Sequence, residues 1–533
     1  MTDTENTPKT PEKMQFDDGK IRELVEKRKA AEDEQYPEKA CDPAETITPA
    51  FIMDCLYSNE MGDGCLYSEL HKDRYLFNKN SEEWMEWNGA HWERDVMNRS
   101  TADVEDVAVK YLKESDRIIE EILEARKADE KDRLRHLEKK RGDLLSRVNR
   151  LRTERGRQNC LKFAHTSQTP LAIPGDRIDQ RPMLLACRNC VIDLSTGLSR
   201  PGRQDDYLHK ASPHEWKGID EPAPVFEKTL TEILSGNEEL MHYVNKLMGY
   251  GITGEISEHI FAVLSGQGRN GKGLLMESIA YALGDLVGVV QSEMLLDQGR
   301  MKSSSGPSPD IMALRGLRIA YASETDENQK FSPSRVKWLS GGDTLTGRNP
   351  HDKYPTSFLP THILFLLTNH KPHAPADDFA FWERVRIVPF LLSFVDREPR
   401  NDNERRVDKT LKEKIWAEAS GILAWLVRGC LLWQKEGLDP PMIVAEATAE
   451  YRRNEDLIGD FIDECCEVVE GGEENATDLY NRFVTWFELN IGKRCPKQRT
   501  FGNMMSRRFE KEKVGGKYKY YGLKLIIEDF TGD

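Results

Sequence analysis

The chain has 533 residues, 38% apolar and 31% charged, with a net charge of −15 at pH 7. That length exceeds what a single core organises and predicts roughly three to four domains. The acidic balance excludes indiscriminate whole-surface nucleic-acid binding but leaves room for a basic channel or module, because local field governs phosphate binding.

No run of about 18 apolar residues predicts a membrane span. The polar start MTDTENTPKTPEKMQ lacks the apolar core of a signal peptide. Ten cysteines without regular spacing fit a reducing cytosol, and a bacterial host cytoplasm is the expected compartment. Cys187-x-x-Cys190 is a lone pair, read as two buried thiols before a zinc or redox site.

Residues 1–45, rich in Thr, Pro, Glu and Lys, predict a disordered segment. Residues 46–225 predict an N-terminal α+β domain. Within it, RYLFN and EWMEWNGAHWERD read as short strands with an Asn88-Gly89 turn. Residues 106–157 predict long helices, with Leu137, Leu144 and Leu151 seven apart and Leu134 and Val148 between them. Arg141 and Gly142 interrupt that seam. The stretch 226–400 alternates strand-like and helix-like runs and predicts an α/β core, which the glycine-rich loop described next makes a P-loop ATPase core. Residues 401–470 read as helical. Residues 471–533 predict a basic, winged-helix-like C-terminal domain. Its stretch 493–519 holds ten Lys or Arg against two acids. Lys517 and Lys519 fall on the expected wing, and a basic, aromatic-laced module in an acidic chain is a phosphate binder or a solvated surface.

The most informative stretch is GQGRNGKG, Gly266 to Gly273. It follows the apolar run Ile260–Leu264 and precedes a helical pattern. Strand, glycine-rich loop and helix are the context a phosphate-binding loop requires. Gly266, Gly268, Asn270 and Gly271 let backbone N–H groups curl toward phosphate oxygens, and the helix adds its positive end. Lys272 reaches the β- and γ-phosphates of ATP. Gly273 stands where a Ser or Thr hydroxyl usually binds Mg²⁺, so the metal must find other ligands.

Hydrolysis needs further groups. Leu317–Ala322 reads as a buried strand ending in Ser323-Glu324-Thr-Asp326. Glu324 is the expected base or water-polarising residue, and Glu324 and Asp326 are the expected metal-associated acids. Thr361–Asn369 is a second buried strand. Its Asn369 orients water, senses the γ-phosphate or simply starts a turn. Arg384 and Arg386 lie near the start of another strand. One of them is a finger for a neighbouring subunit's nucleotide, or a structural ion pair.

These elements resemble superfamily 3 helicases, and most closely the phage/plasmid primase–helicase family that includes the poxvirus-type NTPase. The resemblance rests on GxGxNGK at 266–272, Glu324, K-x-x-S-G-G-D at 337–343, the TN at 368–369 and the block at 382–390. It covers about residues 46–530. Upstream, WMEWNGAHWERD and LLACRNCVIDLSTG look like the small domain that precedes the core in this family. The resemblance implies a homo-hexameric ring moving on single-stranded and forked DNA, usually 3′ to 5′, with ATP and Mg²⁺ between subunits. It implies a hairpin whose basic residues enter the channel. Arg348, His351 and Lys353 occupy that stretch, a polar turn between TLT and YPTSF. Glu383 stands where relatives often have the first of two arginines, which places the finger on Arg384, with Arg386 as the alternative. No primase catalytic pattern is read upstream. Residues 46–225 are expected to form a collar or to bind a separate primase or initiator.

The competing reading is an ATP-dependent initiator or loader with little unwinding, which Gly273 favours. A P-loop switch outside replication is a third. A small-molecule kinase is disfavoured, because no acceptor-binding element is evident.

Overall fold

The computed structural model describes residues 47–299, 306–323, 329–350, 354–492 and 495–526. The segment expected to be disordered, 1–45, lies outside the described residues. The chain divides into two compact units. Of the described residues, the first unit takes 47–178 and 190–209 and the second takes 179–189 and 210–526. Residues 179–189 and 210–225 thus group with the second unit, not with an N-terminal domain ending at 225. No helix among the described residues is long and apolar enough to cross a membrane.

The first unit is mainly helical. Thr48 accepts from the Phe51 amide and starts the helix Pro49–Tyr57. Helices Val104–Lys127 and Lys131–Leu151 form the expected long pair. Leu137, Leu144, Val148 and Leu151 are buried in one cluster with Leu66, Tyr67 and Tyr111. The helix runs on through Gly142, which faces open space. A glycine there weakens a helix by about 1 kcal/mol, less than the packed seam returns. Asp63 anchors this core, accepting from Tyr111 Oη at 3.0 Å and pairing with Arg147 at 3.2 Å. Burial pushes its carboxyl up to about 6, against the pull of Arg147. The strands Tyr75–Asn78, Glu83–Trp87 and Trp92–Arg94 pair antiparallel, with Trp87 opposite Trp92 across the Asn-Gly turn. Cys190, and Cys187 of the second unit, are buried cysteines outside any disulfide.

The second unit is mixed α/β around a five-stranded parallel sheet. Its strands are β1 (Phe261–Ser265), β2 (Val287–Val289), β3 (Ile319–Ser323), β4 (Ile363–Thr368) and β5 (Val385–Pro389). Their order is β2-β3-β4-β1-β5. Phe261–Leu264 and Ile363–Thr368 are buried along their whole length, the continuous apolar run a doubly covered parallel strand requires. Register places Ser265 level with Thr368 and Pro389, and Ser323 level with Leu367. The chain leaves β1 toward one edge and returns on its other side, so a crevice opens at the strands' carboxyl ends.

Strand β3 begins shorter than the sequence predicts. Leu317 and Arg318 precede it, and Arg318 is buried. Nη1 donates to Pro182 O at 2.9 Å and Thr253 O at 2.6 Å, and Nη2 to Arg181 O at 3.0 Å and Leu184 O at 3.1 Å. Burial pulls this guanidinium down to about 10. One cation thereby ties segment 179–189 to the start of the central sheet.

The terminal part of the second unit follows a regular order. Helix Leu457–Cys465 leads into strand Cys466–Asn475, then helices Ala476–Asn490 and Gln498–Met505, then strands Lys511–Val514 and Lys517–Leu525. Strand Lys517–Leu525 lies between the other two and pairs antiparallel with both. Strand Cys466–Asn475 was not expected. Its sequence CEVVEGGEEN is acidic and glycine-bearing, and tertiary pairing overrides its weak local propensity.

Arg318→Met is expected to lower the unfolding free energy of the chain by about 3 kcal/mol, because four carbonyls lose their donor. Urea unfolding followed by fluorescence measures this. A loss below about 1 kcal/mol would show that the tie carries little of the stability.

Candidate functional site

The crevice at the sheet's carboxyl edge holds a cavity of about 800 Å³. Its floor is the loop between β1 and helix α1 (Lys272–Leu283). Two glycines are fixed by geometry. Gly271 has φ +86°, and a Cβ there would strike Ile233 at 2.5 Å. A Cβ on Gly266 would lie 2.2 Å from Phe390 O and 2.3 Å from Asn270 Nδ2. The Asn270 amide is buried beneath the loop, and its Nδ2 has no hydrogen-bond partner among the described residues. Gly268 faces the cavity near Asn369.

Lys272 starts α1 and is buried. Its Nζ donates to Gly266 O at 2.8 Å and to Asn369 Oδ1 at 3.0 Å. Desolvation alone pulls this ammonium down to about 8. No carboxylate pairs with it among the described residues, so a multiply charged anion is its natural counter-charge. The loop's backbone donors and the amino end of α1 favour the same ligand.

Asn369 follows β4 directly and is aligned with the loop by the β4–β1 register. Ser323 at the end of β3 also lines the cavity. Glu324 and Asp326, the expected base and metal acids, lie outside the described residues. Gly273 lies in the first turn of α1 and is exposed, with nothing within 4 Å of a built Cβ.

The cavity has walls that sequence reasoning missed. Ile233 and Thr229 come from helix Pro224–Ile233, and Phe394, Val407 and Leu411 from the segment after β5. Phe394 N donates to Arg269 O at 2.7 Å, which fixes that segment to the loop. These apolar side chains can flank a planar base while the loop holds an anion. Asp396 lines the same wall and is held below its usual range by Lys409 at 2.9 Å. LLSFVDREPRNDNERRVDKT carries no local motif that marks it as a cavity wall.

Arg384 and Arg386 do not reach this cavity. They sit at the opposite, amino end of β5, where Val385 pairs with Phe261. Arg384 Nη1 donates to Ala380 O at 2.6 Å, and its Nε is buried without a partner among the described residues. Arg386 Nη1 donates to Glu383 O at 2.8 Å and Val385 O at 3.0 Å. Neither makes an ion pair with another described residue.

The lysine of the KxxSGGD block, Lys337, pairs with Asp378 at 2.8 Å. After it, strands Leu345–Gly347 and Thr356–Phe358 form the expected hairpin. The Arg348 backbone is tied to Ser308, whose amide donates to Arg348 O at 2.9 Å. His351 and Lys353 lie outside the described residues. In the terminal module Lys517 is exposed, whereas Lys519 is engaged by Glu473 at 2.7 Å.

Residues 65–235 match the family described as D5 N terminal like. The chain is 29% identical over 344 residues to a candidate helicase of Acanthamoeba polyphaga mimivirus, covering 62% of this chain and 36% of that protein. A candidate helicase of Invertebrate iridescent virus 3 is 26% identical, over 58% of this chain and 36% of its own length. A candidate primase of African swine fever virus is 23% identical, over 59% and 34%. The chain therefore spans about a third of the length of these relatives. Among solved structures, the apo NrS-1 C-terminal region is similar at 13% identity, with a TM-score of 0.36 over 58% of this chain and 78% of that one. The D5 N-terminal match over residues 65–235 and the similarity to helicase- and primase-named proteins of large DNA viruses together support a D5-type primase–helicase family.

Proposed function

We propose that the chain is an ATP-driven DNA helicase acting in the replication of a viral, phage or plasmid genome. The observation that carries this reading is the buried Lys272 ammonium, held by Gly266 O and Asn369 Oδ1 on a glycine-rich loop at a parallel sheet's carboxyl edge. In this reading the loop is a P-loop and the β- and γ-phosphates of ATP displace the two oxygens now facing Lys272. The base lies against Ile233, Phe394 and Val407. Glu324 polarises the attacking water and Asn369 positions it.

The remoteness of Arg384 and Arg386 from their own chain's cavity supports action in trans. A guanidinium at the amino end of β5 serves a nucleotide only if another copy presents that end to the cavity. Such a finger is worth roughly 10³–10⁵ in rate. A homo-hexameric ring on single-stranded or forked DNA, moving 3′ to 5′, provides that arrangement. The hairpin carrying Arg348, His351 and Lys353 contacts the strand. The helix, strand, helix, helix, hairpin order of 457–525 supports a winged-helix module, with Lys517 as its freer wing cation. Mg²⁺ is held by Glu324 and Asp326, since Gly273 offers no hydroxyl. That last feature favours the second reading, an initiator or loader that uses ATP mainly to assemble. Turnover that rises with single-stranded DNA supports the helicase; assembly with ATP but negligible turnover supports the loader.

Lys272→Ala is expected to reduce ATP hydrolysis by about 100-fold or more. Turnover at the level of the unaltered chain would overturn the proposal. The depressed Lys272 ammonium gives a pH signature. In the free protein it loses its proton as pH rises through about 8. A bound polyphosphate favours the protonated form, so binding takes up a proton above that point. ATP affinity is expected to be flat below pH 8 and to fall by up to about tenfold per unit above it. Calorimetry at pH 8.5 in buffers of different ionisation enthalpy reads the uptake directly; a value of zero would remove Lys272 from the phosphates. Gly273→Ser meets open space. It is expected to fold normally and to lower the Mg²⁺ concentration needed for half-maximal hydrolysis, by a few-fold. An unchanged Mg²⁺ requirement would place the metal away from the start of α1.

A further inference from the structure

A second polar cleft lies in the second unit, where the loop after β4, helix Met442–Asn454 and the terminal module meet. It encloses about 520 Å³. Four guanidiniums line it, those of Arg452, Arg453, Arg507 and Arg508, against two carboxylates, Asp377 and Asp456. The carboxylates are already engaged. Asp456 accepts from the Gly459 amide at 2.8 Å, capping the next helix, and pairs with Arg508. Asp377 pairs with Arg507. Arg452 spends only its Nε, on Ala376 O at 3.0 Å, and Arg453 is exposed with no side-chain partner among the described residues. Among the described residues, two formal positive charges are left without counter-charge in a concave space.

We propose that this cleft binds backbone phosphates of the DNA strand, with Arg452 and Arg453 as the primary donors. The inference rests on the DNA reading of the previous subsection and adds a contact that neither the hairpin nor the wing supplies. Three observations carry it. Arginine presents a planar fork that matches a phosphate's paired oxygens, and here two such forks retain free donors. The cleft is wide enough for a hydrated phosphodiester and too polar for an apolar ligand. Its third wall belongs to the basic terminal module, so a strand crossing that module would find the cleft contiguous with it. Stabilising the carboxyl end of helix Met442–Asn454 explains one basic side chain in its last turn. It does not explain two arginines from the helix converging with two from the terminal module.

The test uses the full chain and a fluorescently labelled oligothymidylate of about 30 nucleotides, titrated across a series of salt concentrations. Arg452→Gln/Arg453→Gln is expected to reduce the slope of log affinity against log salt by about 1.4, and to weaken binding roughly tenfold near 0.15 M salt, if each arginine neutralises one single-strand phosphate. Arg453→Gln alone removes an exposed side chain and is expected to give about half of that slope change. Thermal melts of both variants identify any loss of fold, and the single variant then carries the comparison. An unchanged slope and affinity in a folded variant, with the unaltered chain binding normally, would overturn the cleft assignment alone. Failure of the unaltered chain to bind the oligonucleotide would instead overturn the DNA reading itself, and the cleft with it.

Discussion

A buried ammonium with no carboxylate beside it among the described residues is the constraint around which the parallel sheet is arranged. Lys272 is desolvated and, among the described residues, satisfied by two neutral oxygens. That state is costly for a lysine, and burial has already moved its titration toward neutrality. The rigid parallel sheet makes it tolerable. Strands β1 and β4 are hydrogen-bonded in a register that sets Ser265 beside Thr368, so Gly266 and Asn369 are delivered to the two sides of the same amine. Gly266 admits no side chain, and Gly271 admits no other residue without displacing Ile233. The loop is therefore shaped before any ligand arrives, which lowers the ordering cost of binding an anion there.

Much of this was legible in the sequence because it is local. Glycine spacing, an apolar run before it and a helical pattern after it specify a strand, a loop and a helix without tertiary information. The Asn-Gly hairpin near residue 88 and the Leu137, Leu144, Leu151 seam were legible for the same reason: turn chemistry and periodicity act over a few residues. Asn369 could be singled out because a buried strand of continuous apolar residues ends immediately before it.

What escaped was set by contacts distant in sequence. Arg318 reads as the second residue of a strand, and its backbone does bond Leu286 and Ile363, but its side chain takes four carbonyls, three of them more than 130 residues upstream. Phe394 and Val407 sit in a charged stretch with no period, and only the fold shows them facing the loop. Strand Cys466–Asn475 exists because Lys517–Leu525 pairs with it. The unit boundary near 178–210 was missed because residues 179–189 leave their neighbours to join the Arg318 carbonyl set.

Asp377 and Asp378 are neighbours on the short connection that leaves β4 after Asn369, and they grip different bodies. Asp377 holds Arg507 of the terminal module, while Asp378 holds Lys337 at the root of the hairpin. A few residues earlier the same connection is pinned by Tyr451, whose hydroxyl donates to Pro372 O, and by Glu455, which pairs with His373. Consecutive α-carbons are about 3.8 Å apart and cannot stretch. Tilting either body therefore loads the same peptide unit, and the terminal module and the hairpin are geared together rather than free to swing separately.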